Sequence, residues 1–201
     1  MTFSKLHEVT TLNLINESIG MGGHPSAKVL PAGVHLRQLT MNRDHRGMLA
    51  EIFRNSWETN VAPLQWNVTH TEARVLRGVH VHVRHTDYLV TLSGRASIGL
   101  RDLRPGSPTE RMTALVEMSG EQLAGLTIPP GVAHGFYFHE PSIQLYAVSE
   151  YWDVDDELGC HWADPELEIA WPITSAIVSE RDAALHPLRA LAGVLPPWQP
   201  K

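Results

Sequence analysis

The chain has one cysteine, Cys160, in 201 residues, so no disulfide can form within it. No apolar run approaches the roughly 20 residues that a helix needs to cross a bilayer. The first residues, MTFSKLHEVTTLNL, lack the basic start and apolar stretch of a secretion signal. Positive charge is also sparse: Lys and Arg number 16 against 22 Asp and Glu, giving a formal charge of -6 and a pI near 6.0. No basic stripe is left to neutralise a phosphate backbone. These absences predict a soluble, cytoplasmic chain with neither nucleic acid nor membrane as a partner. Helical pattern is scarce, confined to ERDAALHPLRAL at 180–191, where Pro187 interrupts it. No repeat of 20–50 residues and no low-complexity segment is present.

What remains is β-sheet sequence. From residue 34 onward come short runs rich in β-branched and aromatic residues, among them VHLRQLT, LQWNVTHT, RVLRGVHV, DYLVTLS, RASIGLRDL, HGFYFH and IQLYAVSEYW. Turn chemistry divides them: SGR at 93–95, RPGSP at 104–108, MSGEQ at 118–122 and PPGVA at 129–133. Regular short strands with regular turns predict an all-β jelly-roll-like barrel. The length supports one substantial core. Residues 1–33, with Gly20, Gly22, Gly23 and Pro25, read as an N-terminal extension, 34–178 as the barrel, and 179–201 as a short helical segment and tail packed on it. Within DYLVTLS both alternating faces are fairly apolar, which predicts one face on a pocket and the other against a second sheet.

Histidine is the compositional oddity, with 12 copies, six of them at 70, 80, 82, 85, 134 and 139. Most histidines in a protein are exposed or held by ordinary hydrogen bonds, so the cluster suggests a site without defining it.

Ordered motifs define it further. VLRGVH at 75–80 and IPPGVAHGF at 128–136 stand with Asp44, Arg46, Gly47 and Glu51, with QWNVTHTEA at 65–73, and with LYAVSEYW at 145–152, WADPELEIAWP at 162–172 and SERD at 179–182. In this order and spacing, over roughly residues 34–198, they resemble the dTDP-4-dehydrorhamnose 3,5-epimerase family. The resemblance implies a cupin jelly roll, a homodimer, and no metal or other cofactor. The implied substrate is a nucleotide-diphospho 4-keto-6-deoxy sugar whose carbon 3, carbon 5 or both are inverted in deoxysugar biosynthesis. A carbon–hydrogen bond beside a ketone can be broken because the carbanion spreads its charge onto oxygen; a placed base and a stabilised oxyanion are then required.

By the resemblance His80 is the base, Asp182 fixes its tautomer, and Tyr146 is the acid on the opposite side. Arg46 and Arg77 carry forked guanidinium groups suited to a diphosphate or a sugar hydroxyl. Glu51, Gln65, Asn67 and His134 belong to the polar lining, and Trp152 stacks on the ligand. Tyr88 is expected where the family has an enolate-stabilising lysine, with Arg84 as another nearby source of charge, and Leu49 replaces a family phenylalanine. Trp162, Trp171 and Pro172 read as a buried turn closing the barrel, and Asp164 as its cap. His82 and His85 are expected at the pocket mouth or in solvent.

A rival reading comes from GVHVHVRHTD at 78–87, followed by six residues and Gly94, and from PPGVAH at 129–134. These look like the general metal-cupin pattern, with Asp87 in place of glutamate. Histidines two apart on a strand share a face, so His80 and His82, joined by His134, could hold a metal ion for a dioxygenase or isomerase.

Overall fold

A computed structural model describes residues 29–59, 61–195 and 197–199. Residues 1–28, the greater part of the expected N-terminal extension, lie outside the described residues. Strands dominate the rest. In chain order they are β1 (His35–Gln38), β2 (Met41–Asp44), β3 (Gly47–Ala50), β4 (Gln65–Thr71), β5 (Leu76–Val81) and β6 (Asp87–Ser93), then β7 (Arg95–Asp102), β8 (Thr113–Ser119), β9 (Ala124–Ile128), β10 (Val132–Phe138), β11 (Ser142–Val148) and the two-residue β12 (Leu158–Gly159). One α-helix among the described residues, α1 (Glu180–Ala183), follows, capped by the Ser179 side chain accepting from the Asp182 backbone N–H. The helix ends at Ala183, before Pro187 is reached, and Pro187 precedes a 3-10 turn at Leu188–Leu191.

Two five-stranded sheets face each other, one in the order β1-β9-β6-β11-β4 and the other β12-β5-β10-β7-β8, with β2 and β3 forming a separate hairpin. All paired strands are antiparallel. This is the all-β barrel architecture expected from the strand lengths and turn residues. Alternation then sends residues to their layers. Inward-facing Leu89, Ile98, Leu100, Leu126, Ile128 and Phe138 fill one end of the space between the sheets and are fully or almost fully buried. Each such side chain contributes about 1.5–3 kcal/mol of transfer free energy.

The expectation for DYLVTLS needs one correction. Its outward face, with Tyr88 and Val90, is covered not by the second sheet but by the β2–β3 hairpin and the segment after it, including Ile52, Phe53 and Trp57. The lid turn differs as well. Trp162 and Trp171 are half-buried and pack with Val79, Val81, Cys160 and Leu167 on the outer face of the second sheet, and Pro172 is exposed. Asp164 caps the turn as expected, accepting from the Glu166 backbone N–H at 2.8 Å. No helix among the described residues is long and apolar enough to cross a membrane.

Candidate active site

The end of the barrel not filled by core side chains is a cavity of about 730 Å³. Its walls come from both sheets: His80 projects from β5, His82 from the residue just after it and His134 from β10, while Gln65, Asn67, Asp87 and Tyr146 project from β4, β6 and β11 of the facing sheet. Most positions singled out in the sequence line this one cavity, namely His80, Tyr146, Asp182, Gln65, Asn67, Arg77, His134 and Trp152.

On one side, His80 Nε2–H donates to Asp182 Oδ1 at 2.8 Å. The other carboxylate oxygen accepts the Gly78 backbone N–H at 3.1 Å, so Asp182 is fixed at both ends. Gly78 is required there: its φ is +105°, and a Cβ would lie 2.9 Å from the His134 carbonyl oxygen. Burial works to raise the Asp182 pKa, but the His80 hydrogen bond and charge, with the Gly78 N–H and Ser179, together outweigh it and hold the carboxyl below its ordinary range. With one nitrogen committed to Asp182, a neutral His80 keeps its lone pair on Nδ1.

Tyr146 stands on the other sheet. Burial, followed by the nearby Asp87 and Glu157 charges, pushes its phenol pKa up, so it stays protonated at neutral pH. At the rim, Gln65 links two neighbours, donating to Asn67 Oδ1 at 2.9 Å and accepting the Trp152 backbone N–H at 3.1 Å. Arg77 donates to Thr71 Oγ1 at 3.0 Å. Two polar groups of the wall, Thr69 Oγ1 and Gln144 Nε2, are buried without a hydrogen-bond partner and sit opposite each other on β4 and β11. Such groups are costly unless a ligand or water meets them.

A second cluster lies deeper. His82, His85, Asp87, His134 and Asp156 are all buried. This corrects the expectation that His82 and His85 sit at the mouth or in solvent. His82 Nδ1–H donates to the Asp156 carbonyl at 3.2 Å, and His134 Nδ1–H to the Val132 carbonyl at 3.1 Å. Burial lowers both imidazole pKa values, that of His134 to about 4, so both rings are neutral near pH 7. Burial opposes charge on His85 also, yet the nearby Asp87 and Asp156 carboxylates together prevail and raise its pKa. Burial works to raise the Asp87 pKa, but the surrounding histidines, His85 first, together hold it below its ordinary value.

Three expected site residues fall outside the cavity. Tyr88 is one position out of phase: Asp87 points inward and Tyr88 outward, where its hydroxyl donates to the Ile52 carbonyl. Gly125 leaves room for that ring, since a Cβ there would lie 2.1 Å from the Tyr88 oxygen. Arg46 is exposed on the β2–β3 hairpin, paired with Asp44, and Glu51 is exposed beside Arg54. Arg84 is likewise paired outside, 2.5 Å from Asp153. Conversely, Glu157 and Arg181, 2.9 Å apart in an ion pair, line the cavity without having been singled out. Arg181 precedes Asp182 in the SERD motif, which was the only available sign of it.

Comparison with known proteins places this geometry among relatives. A family profile described as dTDP-4-dehydrorhamnose 3,5-epimerase matches residues 30–190. The dTDP-4-dehydrorhamnose 3,5-epimerase of Neisseria gonorrhoeae is 32% identical over 149 residues, 70% of this chain and 45% of that protein's length. The protein so named from Pseudomonas aeruginosa is 33% identical over 151 residues, 69% of this chain and 82% of its own. Among solved structures, the Legionella pneumophila dTDP-6-deoxy-D-glucose-3,5-epimerase in complex with dTDP-4-keto-L-rhamnose superposes with a TM-score of 0.80 at 28% identity, covering 86% of this chain and 97% of that one.

Proposed function

The chain belongs to the dTDP-4-dehydrorhamnose 3,5-epimerase family, and on that premise we propose that it inverts carbon 3, carbon 5 or both of a nucleotide-diphospho 4-keto-6-deoxy sugar, as a step in deoxysugar biosynthesis. One observation carries the reading: an imidazole oriented by a carboxylate and a protonated phenol stand on facing sheets of one cavity. His80 Nδ1 takes the proton beside the ketone. The imidazolium that forms is stabilised by Asp182 at 2.8 Å. Tyr146 returns a proton from the opposite face, and the configuration inverts. Each of the two proton transfers is worth about 10²–10⁴ in rate.

Arg77, Gln65, Asn67 and Trp152 bind and orient the ligand in this reading, and the unpartnered Thr69 hydroxyl and Gln144 amide meet its polar groups. We further infer a homodimer. Leu49, Leu64, Trp66, Val68 and Met48 are exposed large apolar residues of the β2–β3 hairpin and of the edge strand β4 with the residue before it, a surface suited to a second copy. Arg46 and Glu51 lie on or beside that hairpin, outside their own cavity, and are read as ligand contacts of a neighbouring copy. Sedimentation at the 22.4 kDa chain mass rather than twice it would remove the dimer.

The test of the activity is proton NMR of the purified protein with dTDP-4-keto-6-deoxyglucose in deuterated water. Deuterium entering carbon 3, carbon 5 or both supports the reading and counts the centres. A folded protein that exchanges neither position overturns it.

A further inference from the structure

We propose that His82, Asp87 and His134 form a binding site for one divalent first-row transition-metal ion, of the class of Fe²⁺, Co²⁺, Ni²⁺ or Zn²⁺, at the floor of the substrate cavity. The three side chains are buried, and their ligand atoms lie within 4.8 Å of one another. His82 Nε2 and His134 Nε2 each stand 3.8 Å from the same carboxylate oxygen, Asp87 Oδ2. That is too far for a hydrogen bond.

The tautomers explain why the gap matters. Each ring gives its Nδ1–H to a backbone carbonyl, of Asp156 for His82 and of Val132 for His134. A neutral imidazole has one N–H, so both Nε2 atoms present lone pairs toward a carboxylate oxygen. Three acceptors converge with no donor among them, an arrangement that repels itself in a buried setting unless a cation sits at its centre. A ring N–H held by a carbonyl is also the usual outer support of a metal-bound histidine.

The size fits. Metal–ligand bonds of about 2.0–2.2 Å in a tetrahedral arrangement put ligands roughly 3.4 Å apart, so the observed 3.8 Å separations need to close by only a few tenths of an ångström. Two nitrogens and one carboxylate oxygen suit these ions. The remaining coordination positions face the cavity, because all three residues line it. His85 does not fill the gap: its Nδ1 lies 2.8 Å from Asp156 Oδ2, and its Nε2 addresses the other Asp87 oxygen, Oδ1, at 3.6 Å. Nor does His80 join, since the ligand atoms that converge within 4.8 Å of one another are those of His82, Asp87 and His134. The ligand set therefore differs from the His80, His82 and His134 trio suggested by the sequence pattern.

Such an ion would add a Lewis acid at the floor of a cavity whose wall already carries Arg77 and Arg181. No lysine is among the described residues, and neither Tyr88 nor Arg84 enters the cavity. A metal ion polarises a ketone oxygen as a Lewis acid and stabilises enolate charge. This role, unlike the site itself, rests on the epimerase reading.

The experiment uses the full chain without an affinity tag, stripped with chelator and titrated with Co²⁺, read by visible absorption and equilibrium dialysis. One Co²⁺ per chain with ligand-field bands is expected, weakened by about 100-fold or more in Asp87→Asn; His82→Gln is the second variant should the first fail to fold by near-UV circular dichroism. His80→Asn should bind Co²⁺ as the parent does. Absence of stoichiometric Co²⁺, or unchanged affinity in the folded Asp87 or His82 variant, overturns the site. Deuterium exchange separates the two readings. Equal exchange with and without metal removes the Lewis-acid role, whereas a Co²⁺-binding protein that exchanges nothing in either form removes the epimerase reading and leaves the site standing.

Discussion

Two histidine–carboxylate groups share the cavity, and they are built in opposite ways. His80 and Asp182 are in hydrogen-bond contact at 2.8 Å, and the carboxylate is oriented by a second donor, the Gly78 N–H. His82, Asp87 and His134 are held 3.8 Å apart, and their ring protons are spent on backbone carbonyls instead. In the first group a proton already bridges the pair, so the histidine is oriented and its free nitrogen is available as a base. In the second the bridging position has no proton to occupy it. On the two proposals above, the same two residue types serve proton transfer in one place and cation binding in the other, according to which ring nitrogen the surroundings claim.

The comparison breaks most sharply at His80. Replacing it by alanine removes the base and should lower deuterium exchange by about 10²–10⁴-fold, with little change in Co²⁺ binding. Tyr146→Phe leaves the base in place. Exchange from the His80 face should continue while inversion falls by about 10²-fold or more, a split visible when the exchange and the product stereochemistry are followed together. Equal exchange and inversion in this variant would show that the phenol is not the acid.

Asp182→Asn should cost less, about 10²-fold in turnover, because the imidazolium loses its counter-charge but the ring keeps a partner. Its stability effect has a defined sign. The folded pKa of Asp182 is depressed below the ordinary 3.8, so its contribution is fully present above about pH 4 and is lost as the pH falls through the lower folded value. The Asp182→Asn protein should therefore lose less stability than the parent between about pH 4 and pH 2 in urea titrations. Identical acid limbs would mean that the carboxylate is not favoured in the folded state.

The strands and turns were legible because period-two patterning and Gly/Pro punctuation are local properties, and the RGVH, AHGF and SERD motifs located His80, His134 and Asp182 because each sits in a short run of fixed spacing. What was not legible depended on phase or on distance. Tyr88 and Asp87 are neighbours, and in a strand a shift of one residue exchanges the cavity face for the outer face. The apolar character of both faces of DYLVTLS hid the phase, since the outer face is buried too, under the hairpin. Burial of His85 depends on Asp156, 71 residues away, and no pattern around His85 records that contact. Arg46 and Glu51 fit the family motif while lying outside the cavity, because a motif fixes a position along the chain and not the cavity that the side chain reaches.

The smallest expected effect on activity tests that phase directly. Tyr88 is buried on the outer face of β6, donates to the Ile52 carbonyl and packs edge-on against Phe53. Burial pushes its pKa up to about 12, so it is a neutral donor at any pH the protein tolerates. Tyr88→Phe keeps the ring and leaves the half-buried Ile52 carbonyl without its donor, which should destabilise the fold by about 1 kcal/mol in urea denaturation while turnover and Co²⁺ affinity stay within about twofold. Asp87→Asn, one residue away, should do the reverse, abolishing tight Co²⁺ binding. Loss of turnover in a folded Tyr88→Phe protein would mean that the hydroxyl reaches the reacting sugar after all, and that the inward and outward faces of β6 are not as assigned.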